Sequence, residues 1–243
     1  MKTYDIFLDY YDKIVRSINN PLEDEVDFLI EDCINEYKPE TKTILEVACG
    51  TWEVARELIN RKYKVTGLDI NKRMLEKAEK NIPKKNLILG DMINFDLWKT
   101  FDAILCNYNS ICHLLKWEQW QRFFEMSNNH LEKDWLLIFD INTIYEFENI
   151  TKDFAQFYNF ESDTVCLEMQ KNNWIYEWLV KIFKQSSDKK YDLVEEVVRE
   201  NSFPINKIKK ELKDKWFKIL EMIDYHYWEV TVESERVYFI CKK

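Results

Sequence analysis

Between residues 43 and 141 the chain repeats a pattern that few folds tolerate: short, nearly unbroken apolar runs alternate with amphipathic stretches of helical period. The runs are T43-I-L-E-V-A48, Y63-K-V-T-G-L-D-I70, N86-L-I-L-G-D91, F101-D-A-I-L-C-N107 and W135-L-L-I-F-D-I141. Helical patterning fills residues 52–61, 72–81 and 117–131. Strands that are apolar on both sides must be covered on both faces, and helices between them make them parallel. The core is therefore expected to be α/β. Residues 4–37 also carry helical patterning, with the pairs Tyr4-Asp5 and Tyr11-Asp12. Asn19-Asn20-Pro21 breaks it, and a second helix is expected over 22–37. Beyond residue 150 the period falls to two, and 154–160, 164–169, 174–183 and 191–198 read as antiparallel strands. S186-S-D-K-K reads as their hairpin turn. A helix over 205–220 and strands over 221–229 and 236–241 close the chain. The expected units are 1–40, a core over 41–150, an antiparallel insertion over 151–203 and a closing segment over 204–243.

Bulk properties narrow the function. The net charge of −9 repels phosphate backbones and argues against nucleic acid as a partner. The lysines at 207, 209, 210, 213, 215 and 218 interleave with Ile208, Leu212, Trp216 and Leu220, as a solvated helix face over a buried stripe does. No apolar run approaches the ~20 residues that span a bilayer, and the acidic start lacks a leader's apolar stretch, so a cytoplasmic protein without a membrane partner is expected. The six cysteines have no C-x-x-C spacing and the three histidines are scattered, which argues against a metal site.

Glycine is confined to Gly50, Gly67 and Gly90, each at or near the end of an expected strand. In an open parallel sheet, ligands bind at those carboxyl ends. Asp69, 19 residues after Gly50, is placed to accept both hydroxyls of a ribose. Asp91, 22 residues further, is placed to accept from an adenine amine. The group beyond the 5′ carbon is constrained by the glycine turn. In the G-x-G-x-x-G register of dinucleotide folds the three positions are Ala48, Gly50 and Glu53, which serves a pyrophosphate poorly. Glu46 and Glu53 instead add negative potential, which suits a zwitterionic, sulfonium-bearing methionine tail.

E46-V-A-C-G-T, G67-L-D-I-N-K-R-M-L, G90-D-M-I-N-F and F101-D-A-I-L-C-N-Y-N-S-I-C-H-L follow one another in an order that resembles the class I S-adenosylmethionine-dependent methyltransferases. The closer resemblance is to their small-molecule branch, which includes amino-sugar N-methyltransferases. Y11-D-K-I, L136-L-I-F-D-I-N-T and E235-R-V-Y-F-I-C-K-K are similar to further segments of that branch. The likeness spans nearly the whole chain and is weakest over 152–200. It implies a Rossmann-like, seven-stranded, mostly parallel sheet with helices on both faces and a small antiparallel insertion before the last helix. It implies S-adenosyl-L-methionine as cofactor and S-adenosyl-L-homocysteine as product. By resemblance, Ala48 and Gly50 hold the methionine part, Asp69 binds ribose, Ile70 packs on adenine, and Asp91 and Met92 border the ring. Asn107 lines the cofactor, Tyr11 folds over it from an N-terminal helical lid, and His113 faces the acceptor.

The family's G-T-G is here Gly50-Thr51-Trp52, so Trp52 borders the cofactor in sequence. Its indole is expected to turn away, into the interface with the N-terminal helices, while its backbone lines the site. Thr51 reads first as a helix cap. The paired glycines before the family's fifth strand are here Lys133-Asp134-Trp135, read as a turn. Methyl transfer from a sulfonium needs mainly proximity and alignment; His113 serves as base where an amine or hydroxyl must lose a proton. Trp174, Tyr176 and Trp178 alternate on one strand face, as a wall of an acceptor pocket does. Each assignment has a plain counterpart: Asp69 or Asn71 as a helix cap, Asp91 as a helix cap or turn residue, Tyr11 and His113 as packed core groups, and the three aromatics as a buried strand face or dimer contact. The expected activity is transfer of methyl to N or O of a small molecule or peptide end, by a monomer or homodimer. A binding or scaffolding protein that kept the fold is the alternative, motivated by Trp52. The glycine register disfavours a nicotinamide-dependent oxidoreductase, and N107-Y-N-S is not the N-P-P-Y type of nucleic-acid methylases.

Overall fold

The computed structural model describes Tyr4, residues 6–18, 21–80, 86–187 and 190–224, His226 and residues 229–243. Seven strands form one sheet: β1 (Thr43–Val47), β2 (Lys64–Asp69), β3 (Leu87–Leu89), β4 (Phe101–Cys106), β5 (Leu131–Asn142), β10 (Lys218–Asp224) and β11 (Arg236–Lys242). Their order is β10-β11-β5-β4-β1-β2-β3. The pairs among β1–β5 are parallel, and β11 is antiparallel to both neighbours. The fold is thus the expected Rossmann-like one. Chain progression reverses between β1 and β4, and the cleft at their carboxyl ends is where such sheets bind ligands.

The apolar runs are buried on both faces because consecutive residues serve opposite cores. Ile44 belongs to one buried cluster with α2 (Leu22–Phe28), α3 (Glu53–Asn60) and α4 (Lys72–Ala78). Leu45 belongs to another with α5 (Trp117–His130) and α7 (Ile205–Asp214). The four-stranded insertion is the antiparallel sheet β6 (Ala155–Phe160), β7 (Asp163–Asn172), β8 (Ile175–Ser187) and β9 (Lys190–Glu200), in that order. One of its faces packs on α1 (Leu8–Ile18) through Phe7, Tyr10 and Ile14 against Val165, Val180 and Val198. α1 thereby bridges insertion and core.

Several local expectations are corrected. Helix α2 runs on into a π-helical turn, Leu29–Asn35. Residues 133–135 are no turn: β5 starts at Leu131, and the extra residues are absorbed as a bulge between Phe101 and Ala103, with Asp134 at φ 70. An unforeseen helix, α6 (Ile144–Asp153), follows β5 and is capped by Thr143, whose Oγ1 accepts from the Glu146 amide. Helix α7 ends at Asp214, so Trp216 is 84% exposed and is not part of the stripe formed by Ile208 and Leu212. β10 accordingly starts at Lys218. The break at Asn19-Asn20, the partner Asp5, the end of the 72–81 helix at Asn81 and the turn at 188–189 lie outside the described residues. All six cysteines are buried thiols. Among the described residues no helix is long and apolar enough to cross a membrane.

Candidate functional site

The turn after β1 is built on left-handed backbone. Ala48 (φ 56), Gly50 (φ 53) and Trp52 (φ 77) all lie in the region that favours glycine, so the chain reverses within five residues and aims amide groups outward. A Cβ at Gly50 would meet nothing within 4 Å: the backbone here faces open cleft rather than protein. Asp69, at the end of β2, braces the turn. Its Oδ2 accepts from the Gly50 amide at 2.8 Å and its Oδ1 from the Asn71 amide at 2.7 Å. Burial pushes the Asp69 carboxyl up, partly offset by these amides. Asn71, not Asp69, caps α4, accepting from Arg73 and Met74. With the Ile70 amide as a third donor, the carboxylate still has acceptor capacity for a further donor.

Trp52 does not fill the cleft. Its indole is 1% exposed and lies on β2 at Gly67, where an added Cβ would come within 1.8 Å of Cζ3. The ring shares the cluster of the N-terminal helices, as expected, but the backbone of Trp52 is not among the residues that line the cleft. Gly67 is the reason: only a residue without Cβ leaves β2 room for the ring. The scaffolding alternative thereby loses its motive. Thr51 caps nothing; its Oγ1 donates to Asp12 on α1 at 2.6 Å.

The cleft is small, about 40 Å³, and lined by Tyr11, Arg16, Glu46, Gly50 and Asn107 among others. Three of these carry buried polar atoms with no partner in the protein: Arg16 Nη1, Glu46 Oε2, and both Nδ2 and Oδ1 of Asn107. Such groups are costly unless something pairs them. A cation, an acid and an amide are together the complement of an α-amino acid, with Arg16 and Asn107 Nδ2 for its carboxylate and Glu46 and Asn107 Oδ1 for its ammonium. The residues therefore fit the methionine end of S-adenosylmethionine. Burial, then the nearby Asp69, pushes the Glu46 carboxyl up to about 8. Glu53 is corrected: its charge is taken by Arg16 at 2.9 Å. Arg16 Nη2 also donates to the Tyr108 hydroxyl at 2.6 Å.

Ile70 is 55% exposed just beyond β2, and Met92 is half-buried in the β3 turn. Asp91 makes that turn, with Oδ1 accepting from the Ile93 amide at 3.1 Å.

A second, larger cavity of about 470 Å³ lies between α1, the β4 and β5 ends and the insertion. It shares Tyr11, Val15 and Tyr108 with the cleft. Trp178, Phe154, Leu167 and Val180 give it apolar walls; Tyr4, Asn109 and Glu200 give it a polar end. His113 stands behind that end. Its Nδ1 faces the Arg199 carbonyl at 3.3 Å, so that nitrogen carries the proton, and Nε2 accepts from the Tyr4 hydroxyl at 3.1 Å. Glu200 is 3.7 Å from Nε2. Tyr4 and Glu200, not His113, are among the lining residues, and burial pushes the Tyr4 and Tyr11 hydroxyls up, so both stay protonated. Trp178 lines the cavity and Tyr176 stacks on Phe147, while Trp174 precedes β8 and is exposed.

Sequence reasoning missed Tyr4, Arg16, Glu200 and Glu146 as site groups. Asp12 and Arg16 were readable as an i,i+4 pair on one helix, yet Asp12 is spent on Thr51 and Lys77, and Arg16 gives Nε to Glu53 and Nη2 to Tyr108, leaving Nη1.

Comparison with known proteins agrees with this geometry. Residues 44–134 match the family described as a methyltransferase domain. A protein of Geobacillus sp. (strain WCH70) with a provisional methyltransferase name is 26% identical over 99% of this chain and 100% of its own. A dTDP-3-amino-3,4,6-trideoxy-alpha-D-glucopyranose N,N-dimethyltransferase of Streptomyces venezuelae is 30% identical over 42% of this chain and 44% of its own. The crystal structure of an S-adenosylmethionine-dependent methyltransferase from Clostridium acetobutylicum ATCC 824 superposes with a TM-score of 0.83 at 24% identity, covering 99% of each chain. Sheet order and these likenesses agree: residues 44–134 match a methyltransferase domain, and the whole chain has the fold of an S-adenosylmethionine-dependent methyltransferase.

Proposed function

We propose that the protein methylates the nitrogen of a small-molecule amine seated in the 470 Å³ cavity. The observation that carries this reading is that the cavity and the methionine-end cleft share Tyr11, Val15 and Tyr108, so an acceptor there abuts the cofactor. The cofactor supplies a methyl group activated on a sulfonium. Asp69 takes the ribose hydroxyls, Ile70 and Met92 flank adenine with Asp91 at its edge, and Gly50, Ala48, Glu46, Asn107 and Arg16 hold the amino-acid end. Helix α1 is the lid. The amine enters as an ammonium beside Glu200. Tyr4 takes its proton as it passes its own to His113 Nε2, and Glu200 stabilises the imidazolium that forms. Tyr11 and Tyr108, which line both the cavity and the cleft, would orient the freed lone pair toward the methyl group that the cofactor supplies. We place the activity in the cytoplasm.

Incubation with labelled S-adenosylmethionine and a panel of primary amines, alcohols and carboxylates tests the reading. Mass spectrometry is expected to find label on nitrogen. Cofactor binding with transfer only to oxygen would overturn it.

A further inference from the structure

We infer that the acceptor carries a second basic group besides the nitrogen that is methylated, and that it carries no phosphate. The inference rests on the cavity being the acceptor site. Three carboxylates line it, Glu146, Glu200 and Glu235, against one arginine, Arg236, among the described lining residues. The arginine is committed elsewhere: its Nε donates to Asp140 Oδ2 at 2.7 Å and its Nη2 to Glu25 Oε1 at 3.2 Å, and neither acid lines the cavity. A nucleotide diphosphate would find net negative charge and no cation to receive it.

The acids sit in two places. Glu200 is 3% exposed, and its oxygens are held by neutral donors, Asn109 Nδ2 at 2.9 Å and Trp178 Nε1 at 2.8 Å. No lysine or arginine of the described residues pairs with it, and the imidazole of His113 offsets its charge only when protonated. A buried carboxylate in that position calls for a cation. That is the reacting amine.

Glu146 and Glu235 form the second place. The Thr143 amide donates to the Glu235 carbonyl at 2.9 Å while Thr143 Oγ1 accepts from the Glu146 amide, so the first turn of α6 and the half-exposed residue before β11 bring the two carboxylates together. Burial, then Glu235, pushes the Glu146 carboxyl up to about 7. His226 reaches Glu235 at 3.6 Å from outside. The cavity's apolar walls include Phe154, Leu167, Val180 and Ile150, with Asn142 and Gln156 as neutral polar groups, and suit a largely hydrocarbon spacer. The arrangement is complementary to a diamine or an amine-bearing base whose body is hydrocarbon.

The test is calorimetric titration of the full chain, saturated with S-adenosylhomocysteine, with cadaverine, hexamethylenediamine, octamethylenediamine, hexylamine, aminocaproate and thymidine diphosphate. At least one diamine is expected to bind about tenfold tighter than hexylamine, as one charged contact gives, and aminocaproate and thymidine diphosphate more weakly than either. Glu146→Gln and Glu235→Gln are expected to erase the preference for the diamine, with circular dichroism checking the fold. Equal affinity for hexylamine and every diamine, or tighter binding of aminocaproate or thymidine diphosphate, would overturn the second charge while leaving the cavity as acceptor site. Failure of every amine to bind would overturn both.

Discussion

At the scale of single residues, Glu46 shows how a ligand site trades against stability. The folded protein holds its carboxyl at about 8 because the group is buried beside Asp69. Between the ordinary value near 4.5 and about 8 the folded state keeps a proton that the unfolded chain has lost, so stability falls as pH rises through that window. Glu46→Gln removes this dependence. Without ligand, the variant is expected to be more stable than wild type at pH 8, by on the order of 1–3 kcal/mol, and equal to it near pH 4. It is also expected to bind S-adenosylmethionine about tenfold more weakly, since the cofactor's ammonium loses its acid. Thermal unfolding across pH and calorimetric titration check the two halves. A variant that melts lower than wild type at pH 8 would show that the carboxylate gains more from the Ala55 amide than burial costs it.

At the scale of elements, the strand–turn–helix unit of β1 and α3 works because two departures compensate. Trp52 takes left-handed backbone that costs it about 1 kcal/mol, and its ring occupies space that Gly67 leaves open on β2. Trp52→Gly is expected to lose about 3–5 kcal/mol of burial, less the relieved strain, with cofactor affinity near wild type because the ring lines no part of the cleft. Gly67→Ala is expected to be as damaging, since its methyl would overlap the indole. The double variant should lose about 2 kcal/mol less than the sum of the singles, because each removes the other's clash or void. Additive losses in denaturant unfolding would break this account.

The same unit shows what sequence could and could not say. Apolar runs gave the sheet, and Gly50, Asp69 and Asn107 marked the strand ends, because period and turn chemistry are local. The fate of Trp52 was not local: it depends on a glycine 15 residues on, in the neighbouring strand. Arg16, Tyr4 and Glu200 were invisible for the same reason, as each acquires its role only when α1 docks and the insertion folds over the β4 end.

At the scale of the whole molecule, α1 is held from two sides. The core holds it through Thr51 to Asp12, Lys77 to Asp12 at 2.8 Å, and Arg16 to Glu53 and Tyr108. The insertion holds its start: Glu196 on β9, 3% exposed, accepts through Oε2 from the amides of Ile6 and Phe7 at 3.1 and 2.9 Å. A carboxylate there satisfies donors that a helix start leaves over and complements its dipole. Because Tyr4, Tyr11 and Arg16 lie on this one segment, docking it completes the cleft and the acceptor cavity together. Loss of Glu196 should therefore undo a site it does not touch. Glu196→Ala is expected to speed amide exchange across residues 8–18 while β7 and β8 stay protected, and to weaken cofactor binding about tenfold, with Glu196→Gln between the two. Exchange unchanged in α1 alongside weaker cofactor binding would mean that the carboxylate acts on the site directly. Faster exchange throughout the insertion would mean that it holds the sheet instead of the helix.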